Sequence, residues 1–133
     1  MVTNNSSGLY KARTILVSTG KRINWTRIPY FTYQDIKDTD NYLVSVKWKY
    51  KASIRVEEFP LSKDKFKSNN YFKQYGLVKL SSNIYINLNR IMFIEETQPS
   101  LDSVIVRFVL IDGFEFHQKF KLQNWIWWRD NYT

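Results

Sequence analysis

Between Val44 and Val56 the chain reads VSVKWKYKASIRV, with apolar and polar residues alternating throughout. A period of two puts the two sets on opposite faces of extended backbone, so this stretch demands β-structure. Val44, Val46, Trp48, Tyr50, Ala52, Ile54 and Val56 make the face that a core requires. The other face carries Lys47, Lys49, Lys51 and Arg55 and no acid. At about 3.3 Å per residue the stretch exceeds an ordinary strand, so a bend or hairpin is expected near KYKAS.

The flanking sequence supplies more strands. Residues 10–17 read as a first strand, TGKR as a turn and residues 23–28 as a second extended piece. FTYQDIKDTDNY has weak periodicity and reads as a loop or short helix. PLSKDKFKSNNYFKQYG reads as a short helix capped by Ser62, with Leu61, Phe66 and Phe72 facing inward. GLVKL and IYINL are strands around SSN, and the phase break at Ile91 and Phe93 predicts a bulge near Asn89 and Arg90. Asp112-Gly113 between alternating runs signals a tight hairpin, pairing Ile111 with Phe114, Val109 with Phe116, Phe108 with His117 and Val106 with Lys119. The end, LQNWIWWRDNY, reads as a last helical turn or a final strand, with Trp125, Ile126 and Trp128 inward. No internal repeat and no linker stand out. The expectation is a mainly β, small single-domain protein: a largely antiparallel, barrel-like sheet with one or two short helices. Residues 1–9 would be a flexible tail and residues 10–133 the domain.

Charge narrows the partner. The chain of 133 residues has a formal net charge of +8, unevenly spread. Residues 1–27 hold Lys11, Arg13, Lys21, Arg22 and Arg27 without an acid, whereas residues 95–115 hold five acids against Arg107. Clustered positive charge attracts polyanions. Chemistry that would make an enzyme is sparse. There is no cysteine, which removes thiolate nucleophiles and zinc-thiolate sites. His117 is the one histidine, and the four glycines form no phosphate loop. Asp35, Asp38 and Asp40 have a ligand-like spacing but lack the central glycine and terminal glutamate of a calcium loop. The reading is therefore a binding protein, not an enzyme, with no cofactor and no metal. The short apolar runs and the absence of a signal-peptide pattern predict a cytoplasmic protein without a membrane span. The Lys- and Asn-rich composition suggests a bacterial or mobile-element source.

The stretch LVKLSSNIYINLNRI, residues 77–91, resembles the strand-loop-strand signature of the LytTR-type DNA-binding domain. In that signature an aromatic, an arginine, a histidine and a serine alternate with variable residues, followed by Val-Asn-Leu and an isoleucine. Leu77, Lys79, Ser81 and Asn83 occupy the first four positions, and Ile86, Asn87, Leu88 and Ile91 match the ending. IPYFTYQDIKDTDNYL resembles the family's opening, so the likeness spans roughly residues 28–133. It implies a small β fold that sends loops into DNA grooves. Contacts would map onto the loop at Asp40 and Asn41, onto Ser81 and Ser82, and onto the basic strand at Lys119 and Lys121.

Together these features predict a nucleic-acid-binding regulator, with DNA favoured over RNA and contacts from Lys47, Lys49, Lys51, Arg55, Asn41, Ser81, Ser82, Lys119 and Lys121. A PUA-like or other small β-barrel RNA binder is one alternative, since aromatics interleaved with cations stack bases and hold phosphates. A phage or plasmid accessory module that binds proteins is another. In that case acidic residues 95–115 could meet the basic row of a second copy in a homodimer.

Overall fold

The computed structural model describes residues 14–18, 20–68 and 70–133. The tail expected over residues 1–9, and the start of the strand expected from residue 10, lie outside them. The first half contains β1 (Thr14–Ser18), β2 (Lys21–Asn24), a 3-10 turn (Trp25–Arg27), β3 (Tyr30–Asp35), β4 (Asn41–Tyr50) and β5 (Ser53–Ser62). Two single-turn helices follow, α1 (Asp64–Lys67) and α2 (Asn70–Lys73). The second half contains β6 (Leu77–Ser81), β7 (Ile84–Asn87), a 3-10 turn (Leu88–Arg90), β8 (Ile91–Thr97), β9 (Ser103–Leu110), β10 (Glu115–Lys121) and α3 (Leu122–Tyr132). The protein is mainly β, and the described residues form three antiparallel sheets: β1-β2, β5-β4-β3-β7-β6 and β10-β9-β8.

The two halves repeat one plan: hairpin, 3-10 turn, three-stranded meander, helix. This corrects the reading that no repeat is present. INWTRI at residues 23–28 returns as INLNRI at residues 86–91. The backbones agree as well, with Asn24 at φ −89°, ψ 110° and Asn87 at φ −88°, ψ 114°. Each asparagine caps its turn, Oδ1 accepting the backbone N–H two residues on, at 3.0 Å from Thr26 and 2.9 Å from Asn89. The phase break at Ile91 is therefore mainly a 3-10 turn. A bulge does occur, but inside β8 between Ile91 and Phe93.

Each half has a core beneath its own hairpin, and the first core also takes in Leu77 and Tyr85 from the second hairpin. Ile15, Val17 and Ile23 pack with Trp25, Phe31, Val44, Val46, Phe59, Phe66 and Phe72. Val78, Leu80 and Ile86 pack with Val104, Val106, Phe108, Leu110, Trp125 and Trp128. The halves join where β7 adds to the edge of β3, pairing Tyr30 with Ile86, Phe31 with Tyr85 and Thr32 with Ile84. The five-stranded sheet thus serves both cores, one on each face.

The alternating stretch forms a hairpin, as its length requires. Lys51 and Ala52 make its turn, and Tyr50 pairs with Ser53. A two-residue turn inverts the parity of the alternation. Trp48 pairs with Arg55, and Lys47 with Val56, so each pair shares a face. The core face of β5 is Glu57, Phe59 and Leu61, while Ile54 and Val56 are 59% and 49% exposed.

Four other readings change. FTYQDIKDTDNY supplies β3 and the start of β4, because burial of Phe31 between Val46 and Tyr85 overrides weak periodicity. Residues 23–28 are strand only to Asn24. The Asp112-Gly113 loop has three residues, since Leu110 N donates to Phe114 O and Gly113 N to Leu110 O. Gly113 alone takes positive φ there, +92°, which fits a type I turn closed by a left-handed glycine. The register slips by one, so His117 pairs with Arg107 and Phe116 with Phe108. Finally α3 buries Trp125 and Trp128 but leaves Ile126 exposed, since it lies on another side of the helix.

Candidate anion-binding cleft

The repeat brings its two arginines together. Arg27 and Arg90, equivalent residues of INWTRI and INLNRI, line one cleft of 380 Å³. Among the described residues, Lys21 and Arg22 from β2 and Lys49 from β4 complete a set of five cations, with Asp112 the single acid in the lining. Ile23, Ile28 and the half-buried Trp48 supply apolar wall.

Each cation is placed by its element. Arg27 and Arg90 end their 3-10 turns. Arg90 is held by Asp112, with Nη2 and Oδ2 at 3.6 Å, and Asp112 sits in the β9–β10 loop. Arg90 Nε and Asp112 Oδ1 are buried and have no hydrogen-bond partner among the described residues. Lys49 reaches across to that loop and stands over the Phe114 ring, 5.2 Å from its centroid. Lys21 pairs with Glu57 at 3.2 Å, and Arg22 donates to Thr14 Oγ1 at 3.4 Å. Arg27 has no ion pair among the described residues. Burial, and then the charge of Asp112, raise the Tyr30 hydroxyl above its usual range. With Glu57 on Lys21 and Asp112 on Arg90, three cations remain in excess around a concave wall and make a focused positive field.

The residues expected to bind nucleic acid fall into three places. Lys47 and Lys49 share one face of β4, Lys51 lies in the hairpin turn, and Arg55 is on the opposite face over the Tyr50 ring. The expected single row of four is therefore divided, and only Lys49 lines the cleft. Asn41 is at the other end of β4, eight residues or about 26 Å away. Ser81 and Ser82 are at that end too, where Tyr33 Oη donates to Ser82 O at 2.9 Å. Lys119 and Lys121 line a separate groove with Leu80, Trp127 and Trp128. Trp127 is 55% exposed there.

Sequence reasoning left out Lys21, Arg22, Arg27 and Arg90 as site residues. The signal was the shared INxxRI pattern, which puts an arginine at the same point of both turns. Asp35 is paired with Lys63, and no group of three metal-ligating side chains converges among the described residues. His117 is exposed and meets Glu115 at 3.1 Å. Arg107, and then His117, hold the Glu115 carboxyl below its usual range. Among the described residues no helix is long and apolar enough to cross a membrane. Compared with known proteins, the chain matches no family model, no curated protein and no solved structure.

Proposed function

We propose that the protein is a nucleic-acid-binding regulator whose cleft at Arg27, Lys49 and Arg90 grips the phosphate backbone. The observation that carries this is the convergence of five cations from three separate segments on one concave surface. Coulomb repulsion among them opposes that arrangement in the free protein, and a bound polyanion relieves it. Lys47, Lys51 and Arg55 extend the positive surface along the β4–β5 hairpin. Such contacts position a partner without reading sequence.

Duplex DNA is the first expectation, and the LytTR-like stretch supports it. On that reading Asn41, Ser81 and Ser82 form a distinct contact zone. One observation favours single strands instead: exposed Trp127 stands beside Lys119 and Lys121, an aromatic platform next to cations.

Shift assays with duplex DNA, single-stranded DNA and RNA over a salt series test the proposal. The pair Arg27→Gln with Lys49→Gln should weaken binding similarly on all sequences. It should flatten the slope of log K against log salt by about 0.9 per lost contact on duplex, or about 0.7 on single strands. Absence of binding to every polyanion at low salt would refute the reading.

A further inference from the structure

The junction between the two halves is a template for a junction between two molecules. In the first half, the meander edge β3 is completed by β7, the second strand of the following hairpin. The equivalent edge in the second half, β8, has no strand beside it among the described residues. The equivalent of β7 in the first half is β2, and its outer edge is equally unpaired there. Among the described residues the repeat therefore leaves β8 as an unpaired acceptor edge and β2 as the matching unpaired donor edge.

Three features of β8 point to an occupant. It runs Ile91-Met92-Phe93-Ile94, with Met92 58% and Phe93 40% exposed. A groove of 320 Å³ lies along it, lined by Leu88, Ile91, Phe93 and Tyr132 among others. Beyond its bulge between Ile91 and Phe93, the strand contains neither lysine nor proline to blunt its edge.

The repeat fixes the register of the match. Transferring Thr32–Ile84 gives Glu95 opposite Lys21, and transferring Phe31–Tyr85 gives Ile94 opposite Arg22. Inside the molecule the Tyr85 ring also lies 5.7 Å from Tyr33. The equivalents of that pair are Arg22 and Glu96. The Ile84–Thr32 pair and the Tyr85–Tyr33 contact of the internal junction thus become two opposite-charge pairs at the external one, Lys21 with Glu95 and Arg22 with Glu96. The asparagines agree with this. Asn87 Nδ2 donates across the internal junction to Thr26 O at 3.0 Å and Ile28 O at 2.9 Å. Asn24, its equivalent on β2, makes no Nδ2 hydrogen bond among the described residues.

We propose that copies of this chain assemble head to tail, β2 of one adding to the β8 edge of the next. The contact is heterologous, so it propagates into a ring or filament. Lys21–Glu57, Arg107–Glu95 and Arg129–Glu96 are the present ion pairs of these charges, and Glu96 Oε1 also accepts from Trp125 Nε1 at 2.7 Å.

Sedimentation of the full chain over a wide concentration range tests this. The mass should rise past that of a dimer at low salt and fall as salt is added. Glu95→Lys with Glu96→Lys should abolish assembly, and so should Lys21→Glu with Arg22→Glu. Mixing the two variants should restore it, since each then meets opposite charge. The chain has no cysteine of its own. Lys21→Cys chains mixed with Glu95→Cys chains should therefore oxidise to a mixed dimer. A monomer at every concentration without cross-linking would overturn the proposal, as would a dimer indifferent to both charge reversals. Glu95→Lys with Glu96→Lys leaves the cleft untouched, so loss of assembly with retained nucleic-acid binding separates this inference from the proposed function.

Discussion

The two halves share a plan and differ in how they are finished. At the internal junction, Asn87 is fully buried and binds on both sides of its amide, to Asn89 N and to two carbonyls of the first half. Asn24 makes the same cap from a half-buried position, and its amide nitrogen bridges to nothing among the described residues. Trp25 is completely buried, 5.4 Å from Phe72 and 5.6 Å from Phe31, whereas its counterpart Leu88 is half-buried beside the open edge. The same local motif is thus a structural keystone where a neighbouring strand covers it and a surface feature where none does. Tertiary contact, more than local sequence, decides what each copy contributes.

The largest test of that contrast is Trp25→Ala against Leu88→Ala. Removing the buried ring deletes contacts with Phe31, Phe59, Tyr71, Phe72 and Tyr75. It should cost about 3–5 kcal/mol, while the half-buried leucine should cost about 1–2 kcal/mol. Urea denaturation of both variants measures this. Equal losses would mean that the first core is not the more tightly closed one.

The asparagines come next. Asn87→Ala deletes three hydrogen bonds and strands buried carbonyls, for an expected loss of about 2–4 kcal/mol. Asn24→Ala removes an exposed-side cap, worth about 1 kcal/mol. If Asn24→Ala proves as damaging as Asn87→Ala in dilute, low-salt solution, then Asn24 is bridging something as well, and β2 is already paired.

How much of this was legible depends on the range of the interaction. The alternation of residues 44–56 is local, so it announced β4 and β5 and the need to bend. It did not show that a two-residue turn moves Ile54, Val56 and Arg55 to the faces opposite those the pattern implies. That depends on the register of the turn, which one residue more would have reversed. The Asp112-Gly113 signal located its hairpin but not its three-residue loop, because Asp112 is drawn to Arg90 from another segment. The cleft was less legible still. Lys49 was recognised within a run of lysines, but Arg27 and Arg90 lie 63 residues apart and meet only because β7 docks on β3. Comparing residues 23–28 with residues 86–91 would have revealed the repeat, though not the convergence.

Alkali probes the covered junction in another way. Burial, with lesser contributions from Tyr33 and other tyrosines, pushes the Tyr85 hydroxyl from 10.0 up to about 12. Unfolded, this group ionises from about pH 10, whereas in the folded protein it stays neutral until about pH 12. Its contribution is therefore intact below pH 10 and lost as pH rises through the folded value. Stability should fall across that window by no more than about 3 kcal/mol from this group. Tyr85→Phe should flatten that part of the profile, followed by chemical denaturation at stepped pH. A profile unchanged by Tyr85→Phe would place the hydroxyl in water and loosen the junction drawn here.

The smallest effect belongs to the two equivalent hairpin turns. Gly113 has φ +92°, and a Cβ there would stand 3.0 Å from Lys49 Nζ, so Gly113→Val should lose about 1–2 kcal/mol. The β4–β5 turn has Lys51 at φ +58°, a left-handed conformation imposed on a side chain that disfavours it. Lys51→Gly removes that strain at some cost in unfolded-state entropy, for a net gain of up to about 1 kcal/mol. Glycine would therefore be the better residue for the turn, and lysine is held there at a small expense in stability. A positive charge at the tip of a basic hairpin is the reason that the proposed function supplies. Lys51→Gly should then raise the melting temperature while weakening nucleic-acid binding and lowering its salt dependence, whereas Lys51→Arg should change neither. If Lys51→Gly stabilises the fold and binding is untouched, the tip lies outside the interface and the cleft at Arg27, Lys49 and Arg90 must act without it.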